Sequence, residues 1–297
     1  MKSGFVAIVG RPNVGKSTLL NQVLGTKLAI VTPKPQTTRT RLLGIVNRED
    51  AQLILVDTPG IHRPRGRLNE FMVRTAMAAV GDVDVVLALV EATRMHPDDR
   101  LVLDALAATR KPKVLAVNKV DQLADKGALL PLLDQLAKSA EVDAVVPISA
   151  LTGENVDRLV EVLVDRLPEG PRYFPPDMLT DQSERALAAE LIREQLMLQT
   201  EQELPYTTAV VVDAWDEEFD ETGRRVFVRI SATVHVERES QKGIVIGKRG
   251  QRIKSVGTAA RAGLERLLGC QVYLELFVRV QRNWTRDPRS LRDFGYE

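Results

Sequence analysis

Gly10-Arg11-Pro12-Asn13-Val14-Gly15-Lys16-Ser17, with Thr18 next, fits the spacing GxxxxGK[ST]. Residues of these types at this spacing hold phosphate. Glycines let backbone N–H groups close around phosphate oxygens, and the N-terminus of a following helix adds its dipole. Lys16 reaches the β- and γ-phosphates, and the Ser17 hydroxyl ligates Mg²⁺. Asp57-Thr58-Pro59-Gly60-Ile61 offers a carboxylate that reaches the same metal through water, and at Gly60 an N–H for the γ-phosphate. By itself this segment is also a good turn. Asn118-Lys119-Val120-Asp121 adds base recognition. The Asp121 carboxylate accepts two hydrogens, from the guanine N1–H and the exocyclic amine. Adenine offers neither there, so an unpaired carboxylate would penalise it. Asn118 braces the loop and meets the base edge, while the Lys119 stem lies along its face. The backbone of Ser149-Ala150-Leu151 meets the guanine O6.

These residues need strand ends to hold them. Residues 4–9 are a continuous apolar run, as in a strand buried on both faces of a parallel sheet. Ser17 to Leu24 carries apolar residues at helical spacing and ends at Gly25. Runs 42–46 and 52–56 flank Asn47–Asp50 as a hairpin, and further strand runs lie at Val83–Val90, Val114–Val117 and Ala144–Ile148. Helical patterns separate them at 68–80, 98–108, 126–138 and 154–166. The alternation predicts an α/β fold, a doubly wound sheet with helices on both faces, and each phosphate or base motif falls at a strand end.

That ordered set resembles the fingerprint of translation-factor-related GTPases. The resemblance implies a switch threonine in Thr32–Arg39, and the Thr-Thr-Arg form of related bacterial GTPases makes it Thr38 rather than Thr37. The metal set it implies is Ser17, Thr38 and Asp57. One departure stands out. Many GTPases place a water-orienting glutamine directly after this Asp-x-x-Gly, and this chain has Ile61. An aliphatic side chain cannot orient water, so no general base is assigned and intrinsic hydrolysis is expected to be slow. His62 reads as a solvated loop residue.

Gly170-Pro171 to Pro175-Pro176 suits neither helix nor central strand, and a linker is expected over 173–182, between a domain at 1–172 and a smaller one at 183–297. The second domain reads helix (183–201), strand (206–214), acidic turn (216–223), strand (225–238), the short apolar piece 243–246, Gly247-Lys248-Arg249-Gly250, helix (251–268), strand. In the last strand Val272, Leu274, Leu276, Val278 and Val280 share a face. A lone GxxG carries little weight; this order matches an α+β KH module of the prokaryotic type (type II). In such modules the loop clamps a single-stranded backbone of about four nucleotides. Lys248 and Arg249 supply charge, and Arg252 and Lys254 extend it. Ile244, Ile246 and Ile253 either floor a base groove or belong to the core. In the tail, aromatics and Arg together suit stacking on or pairing with RNA, and Trp284 and Phe294 equally suit packing of the last helix on the sheet, the reading preferred for those two.

The 297 residues are 44% hydrophobic and 27% charged with a net charge of +1, which excludes wholesale disorder and a uniformly basic coat. The balance is uneven along the chain. Residues 183–241 hold 6 basic and 13 acidic side chains, and residues 242–292 hold 12 basic and 3 acidic, a block suited to phosphates. A single cysteine, Cys270, allows no intrachain disulfide and fits a reducing cytosol. His62, His96 and His235 match no zinc spacing. Phe5–Val9 is too short for a secretory segment, and no stretch approaches a membrane span.

A GTPase fingerprint followed by a KH module resembles the Era family of bacterial GTPases over essentially the whole chain. The resemblance implies a cytoplasmic, monomeric GTP- and Mg²⁺-dependent factor that binds the 3′ region of 16S rRNA, not DNA, and assists maturation of the small ribosomal subunit. It also implies peripheral contact with the inner membrane, since the chain shows no anchor. Two other readings are an RNA-binding module whose nucleotide domain senses nucleotide with negligible turnover, which Ile61 leaves open, and a tRNA-modification GTPase, which leaves the KH module unexplained.

Overall fold

The computed structural model describes residues 1–64, 66–125, 127 and 129–296. Nine residues with a nearly continuous buried pattern make β1 (Lys2–Gly10), and α1 (Lys16–Leu24) follows. Then come β2 (Leu42–Asn47), β3 (Ala51–Asp57), α2 (Arg67–Asp82), β4 (Val85–Glu91), α3 (Asp99–Ala108), β5 (Lys113–Asn118), α4 (Leu129–Ala140), β6 (Ala144–Pro147) and α5 (Val156–Arg166). The sheet order is β2-β3-β1-β4-β5-β6, parallel except for the β2–β3 hairpin. The expected start of α4 at residue 126 lies outside the described residues.

Alternation along β1 builds two apolar layers. Val6 and Ile8 pack with Leu19, Leu20, Leu159 and Leu163 of α1 and α5. Ala7 and Val9 face the other way, toward Ala76, Val102, Leu106 and Leu136 of α2, α3 and α4. Fully burying a leucine such as Leu20 contributes about 1.5–3 kcal/mol, so these layers set the sheet rigidly. The chain leaves β1 to one side for β3 and returns to the other for β4, which makes β1 the topological switch point. Register brings Ile8 opposite Asp57, Gly10 opposite Leu89 and Glu91 opposite Asn118, so the motif-bearing ends of β1, β3 and β5 share one edge with the end of β4.

The chain divides into two compact units, Met1–Arg65 with Asn69–Asp181, and Gly66–Leu68 with Gln182–Glu297. Most of the expected linker is therefore strapped to the first unit. Buried Gln52 accepts from the N–H groups of Tyr173 (2.7 Å) and Phe174 (3.0 Å) and donates to the Phe174 carbonyl (2.8 Å). Ile45 N–H donates to Leu179 O at 2.8 Å. A proline-rich segment forms no ladder of its own, and here the edge of the sheet satisfies its backbone.

In the second unit, Ser183 caps α6 (Glu184–Gln199) by accepting from the Ala186 N–H at 3.2 Å. Next are α7 (Leu204–Thr207), β7 (Ala209–Phe219), β8 (Arg225–Val236), α8 (Glu239–Ile246), a 3₁₀ turn (Lys248–Gly250), α9 (Gln251–Leu268), β9 (Gln271–Val280) and α10 (Pro288–Asp293). The sheet β7-β8-β9 is antiparallel then parallel. Its core joins Ile192 and Leu196 of α6, Val256 and Ala260 of α9, and Ala232, Val234 and Val236 of β8. The expected acidic turn starts four residues late, because β7 continues through Asp216–Glu218. Trp215 pairs with Ile230 across the hairpin, and Glu217 binds Arg225 at 2.9 Å. The short apolar piece 243–246 is the end of α8.

Candidate functional site

Convergence is tightest at Asp57. Ser17 Oγ donates to Asp57 Oδ2 at 2.7 Å, Thr38 Oγ1 donates to the same oxygen at 3.1 Å, and the two hydroxyls are 2.9 Å apart. Thr37 faces elsewhere, toward Thr32 Oγ1 (3.0 Å) and Lys34 O (2.9 Å). Asp57 is fully buried, and among the described residues its Oδ1 has no hydrogen-bond partner of acceptable geometry. Burial pushes its carboxyl above the usual range against the pull of Lys16. Buried Lys16 donates to the carbonyls of Gly10 (3.2 Å) and Arg11 (3.1 Å). Desolvation pulls its ammonium down to about 8.

A cavity of about 570 Å³ opens above these groups. Pro12, Asn13, Gly15, Lys16, Ser17 and Thr18 line it from the phosphate loop, and Asn118, Lys119, Asp121, Ala150 and Leu151 from the base loops. Two glycines are required by close approach. A Cβ at Gly15, whose φ is +102°, would sit 2.3 Å from Asn118 Nδ2, and one at Gly60 would sit 2.6 Å from Pro12. Asn118 ties the two loops together: its Nδ2 donates to Val14 O (2.7 Å) and its Oδ1 accepts from the Ala150 N–H (2.9 Å). Of the Ser149–Leu151 backbone expected at guanine O6, the Ala150 N–H is thus engaged here by the brace, since a buried donor needs an acceptor.

Other sequence-selected residues turn away from the cavity. Thr58 is fully buried and donates to Ile8 O at 2.7 Å, so its hydroxyl anchors β1 rather than a ligand. Val14, Val120 and Ile61 are core side chains, leaving only their backbone for the site. Pro59 is buried beside Gly60, and Ser149 is buried with its N–H on Glu154 O (3.0 Å). Asp121 is exposed at the rim. His62 is half-buried rather than solvated, held at both ring nitrogens by Gly60 O (2.7 Å) and Gln36 Nε2 (3.3 Å).

A charge network was missed by sequence reasoning. Glu91 ends β4 with Oε2 at 2.5 Å from Arg11 Nη2, and its Oε1 pairs with Lys119 Nζ. Buried Asp99 lies 3.2 Å from Arg11 Nε, at an angle unsuited to a hydrogen bond, and burial raises its carboxyl. Arg11 therefore faces carboxylates rather than phosphate, and Glu91 joins the phosphate loop to the guanine loop. The available signal was positional: Glu91 is an acid at the end of the one central strand without a motif.

In the second unit, Gly247 (φ 72°), Arg249 (φ 50°) and Gly250 (φ 76°) make the turn between α8 and α9. Lys248, Arg249 and Lys254 are exposed. Arg252 is instead tied back, with Nη1 donating to Ile244 O at 2.7 Å. Ile253 packs on the core, while Ile244 stays 44% exposed beside the loop. Trp284 is fully buried, bonded to Thr207 O (2.9 Å) and 5.3 Å from the Phe294 ring, so this part of the tail is packing.

Comparison with known proteins agrees with both halves. The family model for 50S ribosome-binding GTPases matches residues 5–119, and the KH domain model matches residues 203–285. GTPase Era of Syntrophus aciditrophicus is 54% identical over 296 residues, covering 99% of this chain and 95% of that protein. Two solved structures each align at TM-score 0.94 and 43% identity, over 100% of this chain and 99% of theirs. One is a variant of Aquifex aeolicus Era bound to GDP and AlF₄⁻. The other is an Era in complex with MgGDPNP and nucleotides 1506–1542 of 16S ribosomal RNA. Among the described residues no helix is long and apolar enough to cross a membrane.

Proposed function

This chain belongs to the Era family of GTPases, and from that membership we propose a GTP-driven switch whose KH unit grips the 3′ region of 16S rRNA and assists maturation of the small ribosomal subunit. Like its family, it hydrolyses GTP to GDP and phosphate. The observation that carries the switch reading is the meeting of Ser17, from the phosphate loop, and Thr38, from the following segment, on Asp57 Oδ2.

Those oxygens fit Mg²⁺, which takes hard oxygen ligands in near-octahedral geometry and keeps several waters. The unpartnered Asp57 Oδ1 points the same way. Ser17 and Thr38 would hold the ion directly and Asp57 through water. When bound, it supplies charge neutralisation at the β- and γ-phosphates. Lys16 then exchanges two neutral carbonyls for phosphate oxygens, which favours its charged form. The Gly60 N–H meets the γ-phosphate, Asp121 selects guanine, and Lys119 stays against the base with its head held by Glu91.

Thr38 and Gly60 belong to segments that order around γ-phosphate and relax after hydrolysis. In the KH unit, Gly247, Lys248, Arg249 and Gly250 clamp the RNA backbone, with Lys254 adding charge. Arg252 contributes by bracing the loop. The protein acts as a monomer in the cytoplasm, with any membrane contact peripheral. The RNA reading is supported by an Era with the same two-part order solved with 16S rRNA nucleotides.

The test is titration of a 16S 3′-end oligonucleotide into protein loaded with GDPNP, with GDP, or with nothing. We expect tighter binding in the GTP-like state by roughly 5- to 150-fold, a coupling of about 1–3 kcal/mol, and the same factor in the RNA-induced preference for GTP over GDP. Three superimposable curves would leave two binding sites on one chain and no switch.

A further inference from the structure

Ile61 stands where many GTPases carry the glutamine that orients the attacking water. Its side chain is 2% exposed in the apolar layer below the sheet, and its N–H donates to Gly10 O at 3.0 Å. A different glutamine reaches the phosphate cavity. Gln36 lines it together with Lys16, Ser17, Thr38 and Gly60. Gln36 holds a left-handed φ of 62°, a conformation that persists in a residue with a Cβ only where its surroundings enforce it.

His62 holds the side chain that this backbone carries. Its Nδ1 lies 2.7 Å from Gly60 O, which can only accept, so Nδ1 carries the ring proton. The neutral ring then presents a lone pair at Nε2, 3.3 Å from Gln36 Nε2, and the amide N–H donates to it. Two consequences follow. Both ring nitrogens are engaged, so His62 is no free base for a water proton. The Gln36 amide is also fixed in one sense, with its nitrogen spent on His62 and its Oε1 left as the free acceptor.

We propose that Gln36 orients the attacking water through Oε1, and that His62 is the positioning residue that holds the Gln36 amide in that sense. In the step itself the water oxygen bonds to the γ-phosphorus. The bond from that phosphorus to the β–γ bridging oxygen breaks, and its electron pair leaves with GDP. Gln36 takes no proton, and both water hydrogens end on the dihydrogen phosphate released. Gln36 comes from the segment carrying Thr38, while His62 and Gly60 come from the segment after Asp57. The water seat is therefore complete only when both segments are in place, which makes a slow enzyme when either is loose.

This inference rests on the GTPase reading, and its test keeps the two apart. Single-turnover hydrolysis is measured on full-length protein preloaded with GTP, alongside GTP and GDP affinities. Gln36 lies in a surface loop, so its variants are expected to fold. Gln36→Ala should slow hydrolysis by about 10²-fold, the loss that misplacing a reactant brings, with GTP affinity within about threefold of the parent. His62→Ala should slow it by about tenfold, and His62→Gln, which returns an acceptor near the Nε2 position, should recover most of that loss. The double variant Gln36→Ala with His62→Ala should be no slower than Gln36→Ala alone, because His62 acts only through Gln36. Parental hydrolysis in Gln36→Ala overturns the inference, as does an equal loss of rate and GTP affinity. Multiplying losses in the double variant overturn the role of His62. A parent that binds but never hydrolyses GTP overturns the GTPase reading and this inference with it.

Discussion

Changing Glu91 to Gln tests whether the ion network serves the nucleotide or only the fold. Glu91 and Arg11 side chains are each 13% exposed and Lys119 26%, so the pairs are screened little by solvent. One carboxylate now serves two cations, Arg11 at 2.5 Å and Lys119 through its other oxygen. An amide of the same shape can accept from one cation but turns N–H donors toward the other. Glu91→Gln therefore removes one charge-assisted bond outright, about 1.5–3 kcal/mol. Arg11 retains Asp99 at 3.2 Å, and Asn118 still ties Val14 to Ala150, so the unit stays folded. If the brace sets the spacing of the phosphate and guanine loops, the loss falls on the bound state. GTP and GDP then weaken together by roughly tenfold to 150-fold, at 1.4 kcal/mol per factor of ten. The assay is titration of a fluorescent guanine nucleotide with competition by GTP and GDP, next to a thermal melt without nucleotide. Lys119→Met should give a similar loss, and the double variant should add little. A lower Tm with unchanged affinities would refute the reasoning, because Glu91 would then be a fold residue.

Three further outcomes are expected. Asp121→Asn should weaken GTP by about 1.5–3 kcal/mol and improve XTP, since xanthine offers a carbonyl where guanine has its amine; calorimetric titration of both nucleotides decides it. Lys248→Asp with Arg249→Asp should abolish most single-stranded RNA binding and flatten its salt dependence while GTP binding stays parental, read by fluorescence anisotropy at several salt concentrations. His235 packs 4.6 Å from the Phe294 ring, and its pKa is lowered by burial and by Arg279 against the pull of Asp213. Its neutral form is the one the fold favours, so the unfolded chain binds the extra proton and the second unit loses stability as pH falls below about 6.5. His235→Phe should flatten that pH dependence in thermal melts from pH 7.5 to 5.5.

Strand-end motifs and periodicity were legible because they are local. Lys16 and Ser17 stand one and two residues beyond Gly15, and apolar alternation alone put Val272 to Val280 on one face of β9. The order of the main strands and helices followed from the same patterns, while the short helices α7 and α10 did not show in them, and Thr38 was singled out from Thr37 by resemblance before the geometry placed its hydroxyl on Asp57. What stayed hidden depends on partners far apart in the chain. Glu91 meets Arg11 across 80 positions, Gln52 fastens Phe174 across 122, and Gln36 meets His62 across 26. Thr58 and Arg252 have the composition of ligand contacts, and only the folded chain turns the first onto Ile8 O and the second onto Ile244 O. A residue's type sets which bonds it can make, and the sequence settled that much. Which of those bonds is made depends on which buried donor or acceptor the packed sheet and helices leave unsatisfied beside it, and that was decided by tertiary structure alone.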